Sequence, residues 1–335
     1  MSDTAVVPVT DGSLETYRIE LTGYCYRMLG SAFEAEDAVQ DTLVRAWKNL
    51  AKFEGRSSLR SWLYRIATNV CFDMLDGRRR RALPMDLGPA QRADASLLGS
   101  PLPEVTWLQP VPDARVLPAA DPADVVELRD SVRLAFVATL QHLPANQRVV
   151  LILRQVLQWP AAEVADLLDT SVASVNSALQ RARVTMAEVT PDQPGDDASG
   201  ARRPGPGSPL DEAQRDLLER YVDAFERYDM DALTALLTED ATWAMPPYAL
   251  WLQTHKDIRA WCLGPGIGCD GSRLVPVQAN GSAAYAQYKP DPAGGFSAWS
   301  LQVVETDASM VTGIMFFLDV PEIFPMFDLP LHLDA

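Results

Sequence analysis

Cysteine and histidine are scarce in this chain, with four and three residues respectively among 335. Cys25, Cys71, Cys262 and Cys269 show neither CxxC spacing nor a disulfide-framework pattern. Cys25 and Cys71 fall on apolar helical stripes, where a free thiol serves as a small buried hydrophobe. The N-terminus is polar and lacks the apolar core of a signal peptide. No apolar run reaches the roughly 18 residues that span a bilayer. A reducing cytoplasm is the expected setting, with no metal and no cofactor. Catalytic chemistry is equally thin. Past residue 210 the histidines are His255 and His332, and Asp240, Asp257 and Asp270 show no paired spacing. No catalytic residue is assigned, and the chain is expected not to be an enzyme.

Positive charge is also in short supply, and the net charge is −16. Its distribution is uneven. Residues 210–335 hold 7 basic and 19 acidic side chains, a net of −12, whereas Arg60 to Arg81 hold six arginines against Asp73 and Asp76, a net of +4. A local basic patch next to an acidic domain is compatible with DNA binding, because the average hides the patch.

Two composition breaks divide the chain. Pro84 to Pro122 contains eight prolines, and Pro191 to Pro209 contains five with several glycines. Both read as linkers, the first stiffened by proline and the second more flexible. The expected domains are 10–83, 124–190 and 210–335, joined by linkers at 84–123 and 191–209.

The first domain reads as all helical. Leu14, Tyr17, Leu21, Tyr24, Cys25, Met28 and Leu29 form one stripe; Ala35, Ala38, Val39, Thr42, Leu43, Ala46, Trp47 and Leu50 form the next. The outer face of that second helix carries Glu36, Asp37, Gln40, Asp41 and Arg45, which by itself is an ordinary solvated face. Phe53 to Arg81 reads as one long helix with the stripe Leu59, Trp62, Leu63, Ile66, Ala67, Val70, Cys71, Met74 and Leu75. Its other face presents Arg60, Tyr64, Arg65, Asn69 and Phe72, and Arg78, Arg79, Arg80 and Arg81 close it. Cations, an amide and rings suit a groove that holds unstacked bases. A solvated basic face explains the segment equally well.

In the middle domain, Pro160 opens a short helix, and Thr170 or Ser171 caps the next. A short helix, a tight turn and a second helix make a helix-turn-helix layout. Val172, Val175, Leu179 and Ala182 are expected to pack inward. Ser171, Ser174, Asn176, Ser177, Gln180, Arg181 and Arg183 remain for phosphates and base edges, where Asn and Gln suit adenine and Arg suits guanine. In the last domain, helices precede β-prone runs at SRLVPVQ, SAAYAQYK, FSAWSLQVV and SMVTGIMFFL. That order indicates an α+β domain with a curved antiparallel sheet. Trp243, Met245, Trp251, Trp261, Tyr285, Tyr288 and Trp299 either line an apolar pocket or fill its core.

With AEDAVQDTLVRAW, FEGRSSLRSWLYRIATNVCFDML, LPANQRVVLILRQVLQW and SVASVNSALQRAR in this order, the chain resembles an extracytoplasmic-function (ECF) sigma factor of the sigma-70 family with a fused SnoaL-like domain. The resemblance implies two all-α sigma domains, regions 2 and 4, plus a C-terminal α+β conical half-barrel. It implies that the chain binds core RNA polymerase, at the β′ clamp helices and the β flap, and recognises and melts −35/−10 promoter DNA. Asp37, Gln40, Asp41 and Arg45 match the face that docks on the clamp helices. Ser57 to Asn69 matches the part that captures an unpaired −10 base. Arg65, Thr68 and Asn69 match the base-holding positions, with Ser57, Arg60 and Tyr64 beside them and Arg78 to Arg81 along the phosphates. Asn176, Ser177 and Arg181 match −35 contacts. The acidic C-terminal domain is expected to regulate the sigma domains in cis, with Trp107 and Leu108 of the first linker as its docking candidates. As an alternative it senses a small-molecule ligand or acts as an enzyme.

Overall fold

The computed structural model describes residues 11–53, 55, 57–118, 127–189, 212–307 and 309–334. In chain order the helices are α1 (Asp11–Glu15), α2 (Arg18–Leu29), α3 (Ala32–Asn49), α4 (Leu59–Leu75), α5 (Asp113–Val116), α6 (Leu134–Gln141), α7 (Ala145–Leu151), α8 (Ala161–Leu167), α9 (Val172–Val189), α10 (Glu212–Glu226), α11 (Met230–Ala235), α12 (His255–Leu263) and α13 (Val320–Met326). The strands are β1 (Leu237–Ala244), β2 (Trp251–Leu252), β3 (Arg273–Ala279), β4 (Ser282–Pro290), β5 (Phe296–Thr306), β6 (Val311–Phe317) and β7 (His332–Leu333). They divide into two units. One comprises the described parts of Met1–Arg79, Ala114–Pro118 and Thr139–Gln193, and the other those of Arg80–Asp113, Ala119–Ala138 and Pro194–Ala335.

The first unit is helical because its caps and stripes agree. Gly30 ends α2 in the left-handed region, and its N–H reaches Tyr26 O. Ser31 then caps α3 by accepting from Glu34 N at 3.2 Å. Ser58 starts α4 by accepting from Ser61 N at 3.0 Å. The expected long helix over Phe53–Arg81 is therefore shorter at both ends, and the four arginines follow it in non-helical chain. Leu21, Tyr24, Cys25 and Met28 of α2 pack with Ala35, Val39 and Ala46 of α3 and Leu63, Ala67 and Cys71 of α4 in a buried core. Trp47, expected on the inner stripe, is instead 59% exposed.

Arg148 of α7 ties this bundle to the helices that follow. It is 4% exposed, and it donates to Met28 O at the C-terminal end of α2, to Gln141 Oε1 (2.8 Å) and O (3.2 Å), and to Leu143 O (3.1 Å). Burial lowers its pKa to about 10. The carbonyl oxygens offset the desolvation cost, and the helix end supplies partial negative charge.

The second unit is built on a sheet in the order β2-β1-β6-β5-β4-β3, with β7 added to β5. Its pairs are antiparallel except β1–β6, which run parallel. The expected all-antiparallel sheet is corrected there: α12 carries the chain away from β1, and β1 pairs with a strand far on in sequence. Register shifts in the β1–β6, β4–β5 and β5–β6 pairs bend the sheet around an apolar core. Asn280 and Gly281 join β3 to β4 in a two-residue turn with φ of 55° and 65°. Only glycine fits the second position, since a Cβ would stand 2.6 Å from Arg129 O.

That turn also holds the proline-rich segment. Val111 N donates to Asn280 Oδ1 (3.0 Å), and Asn280 N donates back to Val111 O (3.1 Å). Asn280 Nδ2 reaches Val132 O (2.8 Å), and Gly281 N reaches Asp113 Oδ1 (2.7 Å). Gln91 N bonds Trp251 O, Trp251 Nε1 bonds Gly88 O, and Leu102 N bonds Pro247 O, each at 2.9 Å. The segment expected as a tether is a strap folded onto the C-terminal domain. The second expected linker, 191–209, lies outside the described residues.

Candidate polymerase and promoter interfaces

Helix α3 buries Ala35, Ala38, Val39, Thr42, Leu43 and Ala46 and turns its other face outward. Asp37, Gln40 and Arg45 are exposed there, and Asp41 is half-buried. Arg45 pairs with Asp41 at 2.8 Å and with Asp73 of α4 at 3.4 Å. Val44 and Trp47 add exposed apolar surface to the same helix, 36% and 59%. The 3.6-residue period placed Trp47 at the edge of the stripe, where periodicity cannot decide which side it faces.

Helix α4 departs most from the sequence reading. Tyr64, expected on the outer face, and Thr68, expected at a base-holding position, are buried, 0% and 2% exposed. Thr68 Oγ1 donates to Tyr64 O, so the Tyr24 hydroxyl donates to Thr68, each bond 2.7 Å long. Tyr64 packs between Tyr24 and Trp159, with ring centroids 5.0 and 4.8 Å away. Its hydroxyl donates to Glu20 Oε1 at 2.8 Å, and Arg60 donates to the same oxygen at 2.5 Å. The Arg60 guanidinium also lies 5.0 Å from the Trp159 ring. Arg65 Nη2 donates to Asp166 O of α8 at 2.5 Å. Ser57 and Asn69 remain exposed. Arg60, Tyr64 and Arg65 are thus held by Glu20 and by the helix-turn-helix.

The four arginines separate. Arg78 pairs with Glu34, and Arg79 and Arg80 are exposed. Arg81 is buried and donates to Trp107 O (2.7 Å) and Glu104 O (3.0 Å). It anchors the strap, which corrects its expected place along the phosphates. Trp107 and Leu108 are buried in the strap, 4% and 1% exposed, and Leu108 N bonds Ala82 O at 3.1 Å.

Helices α8 and α9 form the helix-turn-helix. Asp169 supplies its turn with a φ of 51°, and Ser171, rather than Thr170, caps α9 by accepting from Ser174 N at 3.1 Å. Val175, Leu179 and Ala182 are buried as expected, but Val172 is 42% exposed. As the first residue of the helix, directly after the Ser171 cap, Val172 stays outside the core. Ser171, Ser174, Asn176, Ser177, Gln180, Arg181 and Arg183 are all exposed.

The sheet of the second unit encloses a cavity of about 410 Å³. Trp243, Met245, Trp261 and Trp299 line it, whereas Tyr288 is buried elsewhere and donates to Pro330 O. Trp251 holds the strap, and Tyr285 lies 5.8 Å from Tyr221. His255 Nε2 contacts Thr238 O at 2.8 Å, and the Asp257 carboxylate accepts from the Thr254 hydroxyl (2.7 Å) and from Ala93 N (3.3 Å); neither lines the cavity.

Three family descriptions match these parts in order. They are Sigma-70 region 2 over residues 14–81, Sigma-70 region 4 over 133–186, and a SnoaL-like domain over 218–306. The ECF RNA polymerase sigma factor SigG of Mycobacterium tuberculosis is 48% identical over 322 residues, covering 94% of this chain and 82% of SigG. SigW of Bacillus subtilis is 28% identical over 170 residues, covering 51% of this chain and 82% of SigW. The crystal structure of M. tuberculosis SigJ superposes with a TM-score of 0.58 at 20% identity, over 96% of this chain and 100% of SigJ, and so shares the fold. By the SigG identity along nearly its whole length, the chain belongs to the ECF sigma factors of the sigma-70 family, among those with a C-terminal SnoaL-like domain.

Proposed function

We propose that this sigma factor docks on the β′ clamp helices of core RNA polymerase through α3, with region 4 on the β flap. Arg65 and Asn69 capture a −10 base, and α9 reads the −35 element. The observation that carries this reading is the outer face of α3, where Val44 and Trp47 stand exposed beside Asp37, Gln40, Asp41 and Arg45. An exposed indole flanked by charge marks a partner surface. Thr68 leaves the set of base contacts and supports Tyr64 from within. The hold of Trp159 and Asp166 on α4 makes the described arrangement a resting one, which binding to polymerase opens.

The strap supports regulation in cis. Regions 2 and 4 are joined by chain that the C-terminal domain binds through Asn280, Gly281, Trp251 and Pro247. Releasing it lengthens the span over which the two regions can separate. Transcription reconstituted with bacterial core polymerase on a promoter library tests the whole reading. Selective initiation is expected, and Trp47→Ala should weaken core binding by roughly tenfold. Absence of sigma-dependent initiation by the wild-type chain would overturn it.

A further inference from the structure

The cavity of the second unit has a chemistry that regulation by docking does not use. Its walls are aromatic and aliphatic: Trp243, Trp261, Phe225 and Phe316, with Met245 and Leu318. Trp243 and Phe316 pack with centroids 4.5 Å apart and their planes tilted by 37°, a close aromatic contact in the cavity wall. Among the described residues, no carboxylate and no histidine lines the cavity, and the charged residue in its lining is Lys289. The Lys289 ammonium lies 3.2 Å from the Trp299 ring centroid. It has no carboxylate partner among the described residues. Burial pulls its pKa down, while contact with the Cys269 thiol opposes the shift. Such an ammonium gains most from an anion that brings its own apolar body into the cavity. Gln287, fully buried, adds a fixed polar group, with its amide oxygen accepting from Ser300 and Gln302 (2.7 and 3.0 Å).

The strap contributes to the lining of this cavity. It is fastened at Gln91 to Trp251 and at Leu102 to Pro247. Between those points a single helical turn, Ala95–Leu97, carries Ala95 and Leu98 onto the cavity rim. Leu98 packs on the apolar core, whereas Ser96 and Leu97 are exposed. Gly99 follows with a φ of 66°, a left-handed bend that glycine adopts without strain.

We propose that the cavity binds a flat aromatic acid, its rings between Trp243 and Trp261 and its anionic group on Lys289, with the 95–98 turn as the lid. This ties ligand binding to the segment that joins regions 2 and 4. It goes beyond regulation in cis, and its test does not involve transcription, so failure here leaves that reading standing.

The test is calorimetric titration of the full chain with 2-naphthoate, anthracene-9-carboxylate and 4-phenylbenzoate, with 2-naphthalenemethanol as the uncharged control. At least one acid should bind, and 2-naphthalenemethanol should bind about tenfold more weakly than 2-naphthoate, the scale of one charge-assisted bond. Lys289→Met should bring that pair to within about threefold of each other. Leu98→Asp, which sets a carboxylate on the rim, should weaken every acid more than the alcohol. Hydrogen exchange at residues 95–98 should slow on saturation. The proposal is overturned if all three acids fail to bind, if acid and alcohol bind alike, if Lys289→Met keeps the preference, or if exchange at 95–98 is unchanged. A Lys289→Arg variant that retains the acid preference separates loss of charge from loss of fold.

Discussion

The indole of Trp159 packs on the ring of Tyr64 with centroids 4.8 Å apart, joining the loop before the helix-turn-helix to the helix expected to open the promoter. Arg154 donates to Trp159 O and fixes that loop from behind. Arg60 and Arg65 add a cation–π contact and a hydrogen bond on either side.

Trp159→Ala removes the contact. Trp159 is 2% exposed, so the substitution should cost about 3–5 kcal/mol in a urea-unfolding measurement. The variant should also bind a single-stranded −10 oligonucleotide more tightly without polymerase. Each tenfold rise in the open fraction raises apparent affinity about tenfold. Unchanged oligonucleotide affinity in a variant that is destabilised as expected would argue that the contact only packs.

Asn69 is exposed on α4. Asn69→Ala should leave stability within about 0.5 kcal/mol and core binding unchanged. Loss of one base contact, about 1 kcal/mol, should lower open-complex formation roughly fivefold. Permanganate footprinting of the melted −10 region against a core-binding titration separates the two.

Asn280→Ala breaks the seam between strap and hairpin. It leaves Val111 N–H and Val132 C=O without their partner in a buried position. A loss of about 2–4 kcal/mol is expected in thermal or urea unfolding, with faster proteolysis within 84–113. If regulation acts through the strap, promoter output or promoter choice changes too; identical output from a strap shown to be released would sink it.

Alkali should weaken the second unit before it affects the thiols inside it. Burial raises Cys262 to about 12 and Tyr285 to about 12. Both folded-state values lie above those of the unfolded chain, so the unfolded form loses its protons first. Stability from these groups is intact below about pH 9 and falls as pH climbs toward 12. Alkylation followed by mass spectrometry at pH 8 should label half-buried Cys269 well ahead of Cys262. Equal labelling of the two would contradict the burial.

Much of this was legible beforehand because it is local. The stripes of α2, α3 and α4, a cap at Thr170 or Ser171 and the outward face of α9 follow from periodicity and capping chemistry within one helix. The order of these pieces, with the β-prone runs after them, led to the family that the SigG comparison bears out. Phe53 to Arg81 was overextended because arginines after a helix end look like arginines closing it. Trp47 and Val172 were misplaced because they sit at the edges of their stripes.

The sequence by itself determined the helical stripes, the main β-prone runs, the acidic C-terminal body and the family. Only the tertiary structure decided which side chains are free to act. Tyr64 and Thr68 turn inward because Tyr24 and Trp159, distant in sequence, complete their surroundings. Arg81 turns inward because Trp107 and Glu104 present it with carbonyls. The proline-rich strap has no period to read, and its partners are turns and strand ends up to 169 residues away. Contacts of that range depend on folded geometry, since closing such loops becomes favourable only once both surfaces exist.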